Sequence, residues 1–119
     1  MECNCEAPYA QLAVQFARAL TDGNFALAHT LLLPELSADL TPARLRETYE
    51  AMIEYGDGPP TNVELIVTME QWQLPEQRLT DLGWAYVAIA GDGYSEAVTV
   101  IVEDAGDGPA IRYLEWGRP

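Results

Sequence analysis

The spacing of apolar residues changes once along this chain. Up to residue 53 they recur at three- and four-residue steps, and from residue 62 onward they alternate with a period of two. The first spacing belongs to helices and the second to strands. Tyr9, Leu12, Ala13, Phe16 and Leu20 make one stripe of a helix over 8–21, with Pro8 suited to its first turn. Asp22-Gly23-Asn24 stops it: Gly23 fits the left-handed position after a helix, and Asn24 can cap the next one. That second helix runs from Phe25 to about Leu33 and ends at Pro34. Residues 36–40 form a short connection with room for one helical turn. A third helix opens at Thr41-Pro42, with Leu45, Tyr49, Met52 and Ile53 facing inward and Arg44, Arg46, Glu47 and Glu50 facing solvent.

The second half is organised around Gly83–Glu103. Two β-rich runs, Trp84–Ala90 and Glu96–Val102, flank Asp92-Gly93, a strong signal for a tight hairpin. Pairing about that turn sets Val87 opposite Val98 and Ala85 opposite Val100. Ala85, Val87, Ile89, Val98, Val100 and Val102 then share one face, and Trp84, Tyr86, Ala88, Ala97, Thr99 and Ile101 share the other. Neither face is polar, so both are expected to be covered. A strand over 62–74 is predicted upstream, with Val63, Leu65, Val67 and Met69 on one side and Glu64, Ile66, Thr68, Glu70 and Trp72 on the other. A last strand, Ile111–Trp116, follows the turn at Gly106-Asp107-Gly108. A two-residue turn would put Ile111 and Tyr113 with the valines; a three-residue turn with a bulge would put Leu114 and Trp116 there, and the bulged form is preferred. Gly-Asp-Gly recurs at 56, 91 and 106 and reads as turns, since none supplies the alternating oxygen ligands of a calcium loop.

Three helices followed by a four-strand meander give an α+β class, with three N-terminal helices packed on a curved four-strand antiparallel sheet. At 119 residues the chain is long enough for one core, and a flexible N-terminus (1–7) before a single domain (8–119) is expected. Nineteen acids against six arginines and no lysine give a net charge of −13, which repels nucleic acid and anionic membranes, so neither is expected as a partner. No run approaches the ~18 apolar residues of a membrane span, and the acidic start lacks the pattern of a signal peptide, so a cytoplasmic location is expected. Cys3 and Cys5 could bind a soft metal only if a second copy added ligands. A frayed segment with incidental thiols is the expectation, with no metal site and no cofactor.

Leu20-Thr21-Asp22-Gly23-Asn24-Phe25-Ala26-Leu27-Ala28 resembles the nuclear transport factor 2-like, cystatin-like superfamily. Its domains often carry a leucine, a Gly-Asp/Asn-aromatic step and an alanine-rich second helix at this point. The resemblance implies a curved sheet wrapped on a long helix, a cone-shaped pocket and frequent dimers through the outer sheet face. Members include ketosteroid isomerase and epoxide hydrolases alongside domains without known chemistry, so the fold alone licenses no function.

Catalytic candidates are few. The isomerases of that superfamily place a tyrosine on the inner face of the first helix, where this chain has Leu12, Phe16 and Leu20. No acid stands out at an inward position. His29, the single histidine, and Tyr49 are the candidates for pocket chemistry, and Arg112, the only strand arginine, is the candidate for an acid–arginine pair with Glu64, Glu70 or Glu115. The expected function is therefore that of a non-catalytic domain. It would dimerise through Trp84, Tyr86, Ile101 and Tyr113 and bind a small apolar ligand among Phe16, Tyr49, Met52, Val87, Val100 and Leu114. The alternatives are a small hydrolase or isomerase using the same pocket, or a protein-interaction module whose acidic surface suits a basic partner.

Overall fold

Helix α1 (Pro8–Thr21) lies across the inner face of the sheet and packs against all four of its strands. Its stripe is buried as the spacing predicts, and Ala10, Ala17 and Ala19 are buried beside it, small enough to bring the helix close to its neighbours. The helix ends in a Schellman motif. Asn24 N–H donates to the Ala19 carbonyl (2.8 Å), Gly23 N–H donates to that of Leu20 (3.1 Å), and Gly23 has φ +76°. Asn24 then caps α2 (Phe25–Thr30), accepting from Leu27 N–H at 3.2 Å. A computed structural model describes residues 6–54, 60, 62–73, 76–91, 94–106 and 108–117. The expectations for Cys3 and Cys5, for the loop at 55–59 and for the turn residues Asp92 and Gly93 lie outside these.

Among the described residues the helical layer has four helices rather than three. Where one helical turn was allowed over 36–40, a helix forms as α3 (Pro34–Asp39), and α2 stops at Thr30 instead of reaching Leu33. The reason is in the intervening residues: Leu33 N–H donates to the Ile111 carbonyl (2.8 Å) and Ile111 N–H donates to that of Leu31 (2.9 Å). The chain leaves the helix to cover part of an exposed sheet edge, and Pro34 restarts a helix at a position where a missing N–H costs nothing. Helix α4 (Pro42–Ile53) is capped by Thr41, as expected, and buries Leu45 and Tyr49.

Strands β1 (Asn62–Met69), β2 (Asp81–Gly91), β3 (Tyr94–Asp104) and β4 (Pro109–Gly117) form one antiparallel sheet in chain order. Val87 pairs with Val98 and Ala85 with Val100, so the hairpin register is the expected one, and Gly91 paired with Tyr94 brackets its turn. Three bulges interrupt the ladder, at Ile66, Leu82 and Arg112. Each turns the strand beyond it over by one residue and sharpens the local twist.

The bulge at Ile66 corrects the predicted faces of β1, and the strand ends at Met69 instead of reaching Leu74. Val63 and Leu65 pack on the core as expected, but beyond the bulge Thr68 faces inward while Val67 and Met69 face outward, opposite Tyr86 and Trp84. Strand β4 begins at Pro109, opposite Asp104, and its bulge lies within the strand at Arg112. Ile111 therefore joins Leu114 and Trp116 on the inner face, a combination neither simple turn allows. At Leu82 the bulge turns Gly83 inward, where an added Cβ would collide with the ring of Tyr9. Glycine there is a packing requirement, and Tyr9 is its cause.

The core lies between α1 and the inner face. Phe16, Leu20, Leu45, Ile89, Val87, Val98, Val100, Val102 and Ile111 have no exposed surface. Each such side chain contributes roughly 1.5–3 kcal/mol by leaving water.

Candidate functional site

The outer face of the sheet is built from transverse rows of paired residues. Met69, Trp84, Ile101 and Tyr113 stand opposite one another across all four strands, and Val67, Tyr86, Thr99 and Glu115 form the next row. The first row is apolar from one edge of the sheet to the other, and β1 contributes to it only because the Ile66 bulge turns Met69 outward. Trp84 and Tyr86 stack with ring centroids 6.0 Å apart and planes within 5° of parallel, so two aromatics present one slab. Ile101 is wholly buried within the chain, whereas Met69, Trp84, Tyr86 and Tyr113 remain partly exposed. At the margin the Tyr113 hydroxyl donates to Glu115 Oε2 at 3.0 Å. That bond to a carboxylate, reinforced by burial, raises the phenol above its ordinary value.

One corner of this face is ionic. Arg112 Nε and Nη2 donate to the two carboxylate oxygens of Asp81 at 2.5 and 2.6 Å, with side chains 8% and 0% exposed. Burial by itself would raise Asp81, but the fork from Arg112, the Arg78 N–H at 2.8 Å and the charges of both arginines outweigh it and hold the carboxyl below its ordinary value. Arg112 is correspondingly raised, first through its hydrogen bonds to Asp81 and against its own desolvation. Its Nη2 also donates to the Glu76 carbonyl (3.2 Å), so one side chain ties the β1–β2 connection to β4. Within that connection Gln77 donates to the Glu70 carbonyl (2.8 Å) and accepts from Trp72 N–H (3.3 Å). The Trp72 indole N–H is buried without a hydrogen-bond partner among the described residues.

On the helical side, a cleft of about 360 Å³ opens between the end of α1, α2 and α4, lined by Leu20, Phe25, Arg46, Tyr49, Ile53 and Pro60 among others. Tyr49 is buried at its base, 5.9 Å ring to ring from Phe25, and Arg46 pairs with Glu50 at its rim. The ligand-pocket residues expected from the sequence do not surround one described cavity. Phe16, Val87 and Val100 are fully buried, Met52 and Leu114 pack partly buried on the same core, and Phe16 stands 6.3 Å from the ring of Trp116. Of the six, Tyr49 alone lines a described cavity.

No family model, curated protein or solved structure matches the chain. What can be said of function rests on its own residues.

The three catalytic candidates occupy separate places. His29 Nε2 lies 3.0 Å from the Ser37 carbonyl oxygen, and because a carbonyl only accepts, Nε2 carries the proton and links α2 to α3. Tyr49 belongs to the helix-side core, and Arg112 to the outer face with Asp81, rather than with Glu64, Glu70 or Glu115. Among the described residues no three histidines, cysteines or acids converge as a metal site, and no helix is long and apolar enough to cross a membrane.

One residue escaped the sequence reading. Glu96 pairs with Ile89 and stands on the inner face two positions before Val98, only 4% exposed. The signal was present, because the hairpin register that sorted the valines also turns Glu96 inward.

Proposed function

We propose that this chain is a non-catalytic nuclear transport factor 2-like domain that associates with a second copy of itself through the outer face of its sheet. The observation that carries the reading is the row Met69–Trp84–Ile101–Tyr113, backed by the stacked Tyr86. Met69, Trp84, Tyr86 and Tyr113 each keep part of their surface exposed, and an apolar row of this kind is what a two-fold interface uses, each copy presenting the same patch. Four antiparallel strands with helices on one face fit the cone of that superfamily, with a fourth short helix added. The cleft at Phe25, Tyr49 and Ile53 is the place where a small apolar ligand would enter. Sedimentation equilibrium of the wild-type chain and of Met69→Glu tests the reading. A dimer is expected, weakened by the substitution while the circular dichroism spectrum stays unchanged. A wild-type chain that stays monomeric at high micromolar concentration overturns it.

The alternative of a small hydrolase or isomerase has one observation in its favour, the burial of Glu96 on an otherwise apolar face. Carboxyls placed for chemistry commonly cost stability, so on this reading Glu96→Gln raises the urea midpoint. A fall assigns Glu96 a structural task.

A further inference from the structure

Helix α1 carries a second stripe beside the one that fills the core. Gln11, Val14, Gln15 and Arg18 recur at three- and four-residue steps and so share one side of the helix. With Val63 and Leu65 of β1 they line a cleft of about 360 Å³. A second cleft of about 310 Å³ continues it, lined by Arg18, Thr21, Asp22, Pro60, Asn62 and Val63. Arg18 and Val63 belong to both, so the two clefts form one trough along α1 from Gln11 to Asp22, roughly 16 Å long. Its apolar floor is where the core is left unfinished. On the inner face Ala85, Val87, Ile89, Val98, Val100 and Val102 are fully buried. Val63 and Leu65, on the strand that ends the sheet, are only partly buried, and so is Val14.

We infer that this trough binds a small monocarboxylic acid, with the apolar body on Val14, Val63 and Leu65 and the carboxylate on Arg18. The ion pairs among the described residues use Arg46, Arg78 and Arg112, and Arg18 takes part in none of them. The first cleft is lined by no acid. Asp22 lines only the second, one helical turn beyond Arg18. A planar guanidinium takes a carboxylate through two parallel hydrogen bonds. The exposed Gln15 amide offers a further donor, whereas that of Gln11 already donates to the Glu6 carbonyl (3.4 Å). A net charge of −13 opposes any polyanion, so the ligand carries one charge and gains most of its affinity from the apolar floor. An extended peptide added to β1 fits less well, because the bulge at Ile66 breaks the regular sheet edge. The trough lies on the opposite side of the sheet from the outer row, and it meets the cleft at Phe25, Tyr49 and Ile53 only at Thr21 and Pro60. It is therefore independent of the self-association reading.

The test is an amide chemical-shift titration of the isotope-labelled full chain with sodium octanoate and, separately, with octanol. Octanoate should shift the amides around Val14, Arg18, Val63 and Leu65 saturably. Arg18→Gln changes an exposed side chain and should leave the circular dichroism spectrum as it is. It should raise the octanoate Kd about three- to fivefold and the octanol Kd by less than about twofold. Val14→Ser should weaken both probes, since it removes floor rather than charge. The proposal is overturned if Arg18→Gln binds octanoate as tightly as wild type does or weakens octanol equally. It is overturned too if the wild-type shifts gather at Phe25, Tyr49 and Ile53, or fail to saturate by about 10 mM. A monomeric wild type, which removes the sheet-face reading, leaves the trough standing.

Discussion

Asp81 and Arg112 decide more than their positions in the sequence suggest. Neither side chain has appreciable access to water, and each satisfies the other through two hydrogen bonds. Removing one partner leaves a buried charge uncompensated, so Arg112→Met should cost on the order of 3 kcal/mol in urea unfolding, well above the exposed Arg46–Glu50 pair. The pH dependence follows from the lowered carboxyl. A group whose folded value lies below its unfolded one contributes fully above the unfolded carboxylate range. That contribution disappears as the pH falls through the folded value. Urea stability should therefore drop on acidification below about pH 4, and Asp81→Asn should flatten that part of the profile. The raised Arg112 adds no change near neutrality. The sequence marked Arg112 as the only strand arginine but not its partner, because Asp81 lies 31 residues away and reaches it only through the bulge and the returning loop.

At the scale of elements, helices were more legible than strand faces. Caps are local chemistry, and Asn24, Thr41 and Gly23 act where their side chains or their φ predict. Strand faces depend on a count of two, and a single extra residue overturns everything beyond it. Ile66 is that residue in β1. It is 45% exposed and lies between the pairs Leu65–Val87 and Val67–Tyr86. Ile66→Thr should change stability by no more than about 0.5 kcal/mol, and deleting Ile66 should leave the faces as they are, because Val67 then follows Leu65 directly and stays opposite Tyr86, so Met69 stays outward and the urea midpoint should fall only slightly. A deletion that turned Met69 inward and lowered the midpoint sharply would show that Ile66 is not the extra residue that sets the faces. The early end of α2 was hidden for a related reason: β4 needed its edge covered, and Leu31–Leu33 supply the hydrogen bonds.

For the whole molecule, net charge and apolar surface oppose each other. A charge of −13 disfavours bringing two copies together, and the apolar row favours it. Salt weakens the repulsion between the copies, with a screening length of about 10 Å at 0.1 M, and leaves the apolar contribution largely intact. On the self-association proposed above, the dimer Kd should therefore fall as sodium chloride rises from low to physiological strength, as read by sedimentation equilibrium. An interface held by ion pairs would respond in the opposite direction.

Local rules in the amino-acid sequence were enough for the α+β order, the extent of the first helix, the caps and the register of the central hairpin, since each depends on residues a few positions apart. They were also enough for the greasy reverse of the sheet, and the same register held the inward turn of Glu96, although the reading did not draw it. Tertiary structure alone decided the three bulges, the outward turn of Met69, the union of Asp81 with Arg112 and the contact of Phe16 with Trp116. Those outcomes depend on how much side-chain volume meets between α1 and the sheet and on which strand yields a residue to fit it, and neither quantity exists until distant segments are packed together.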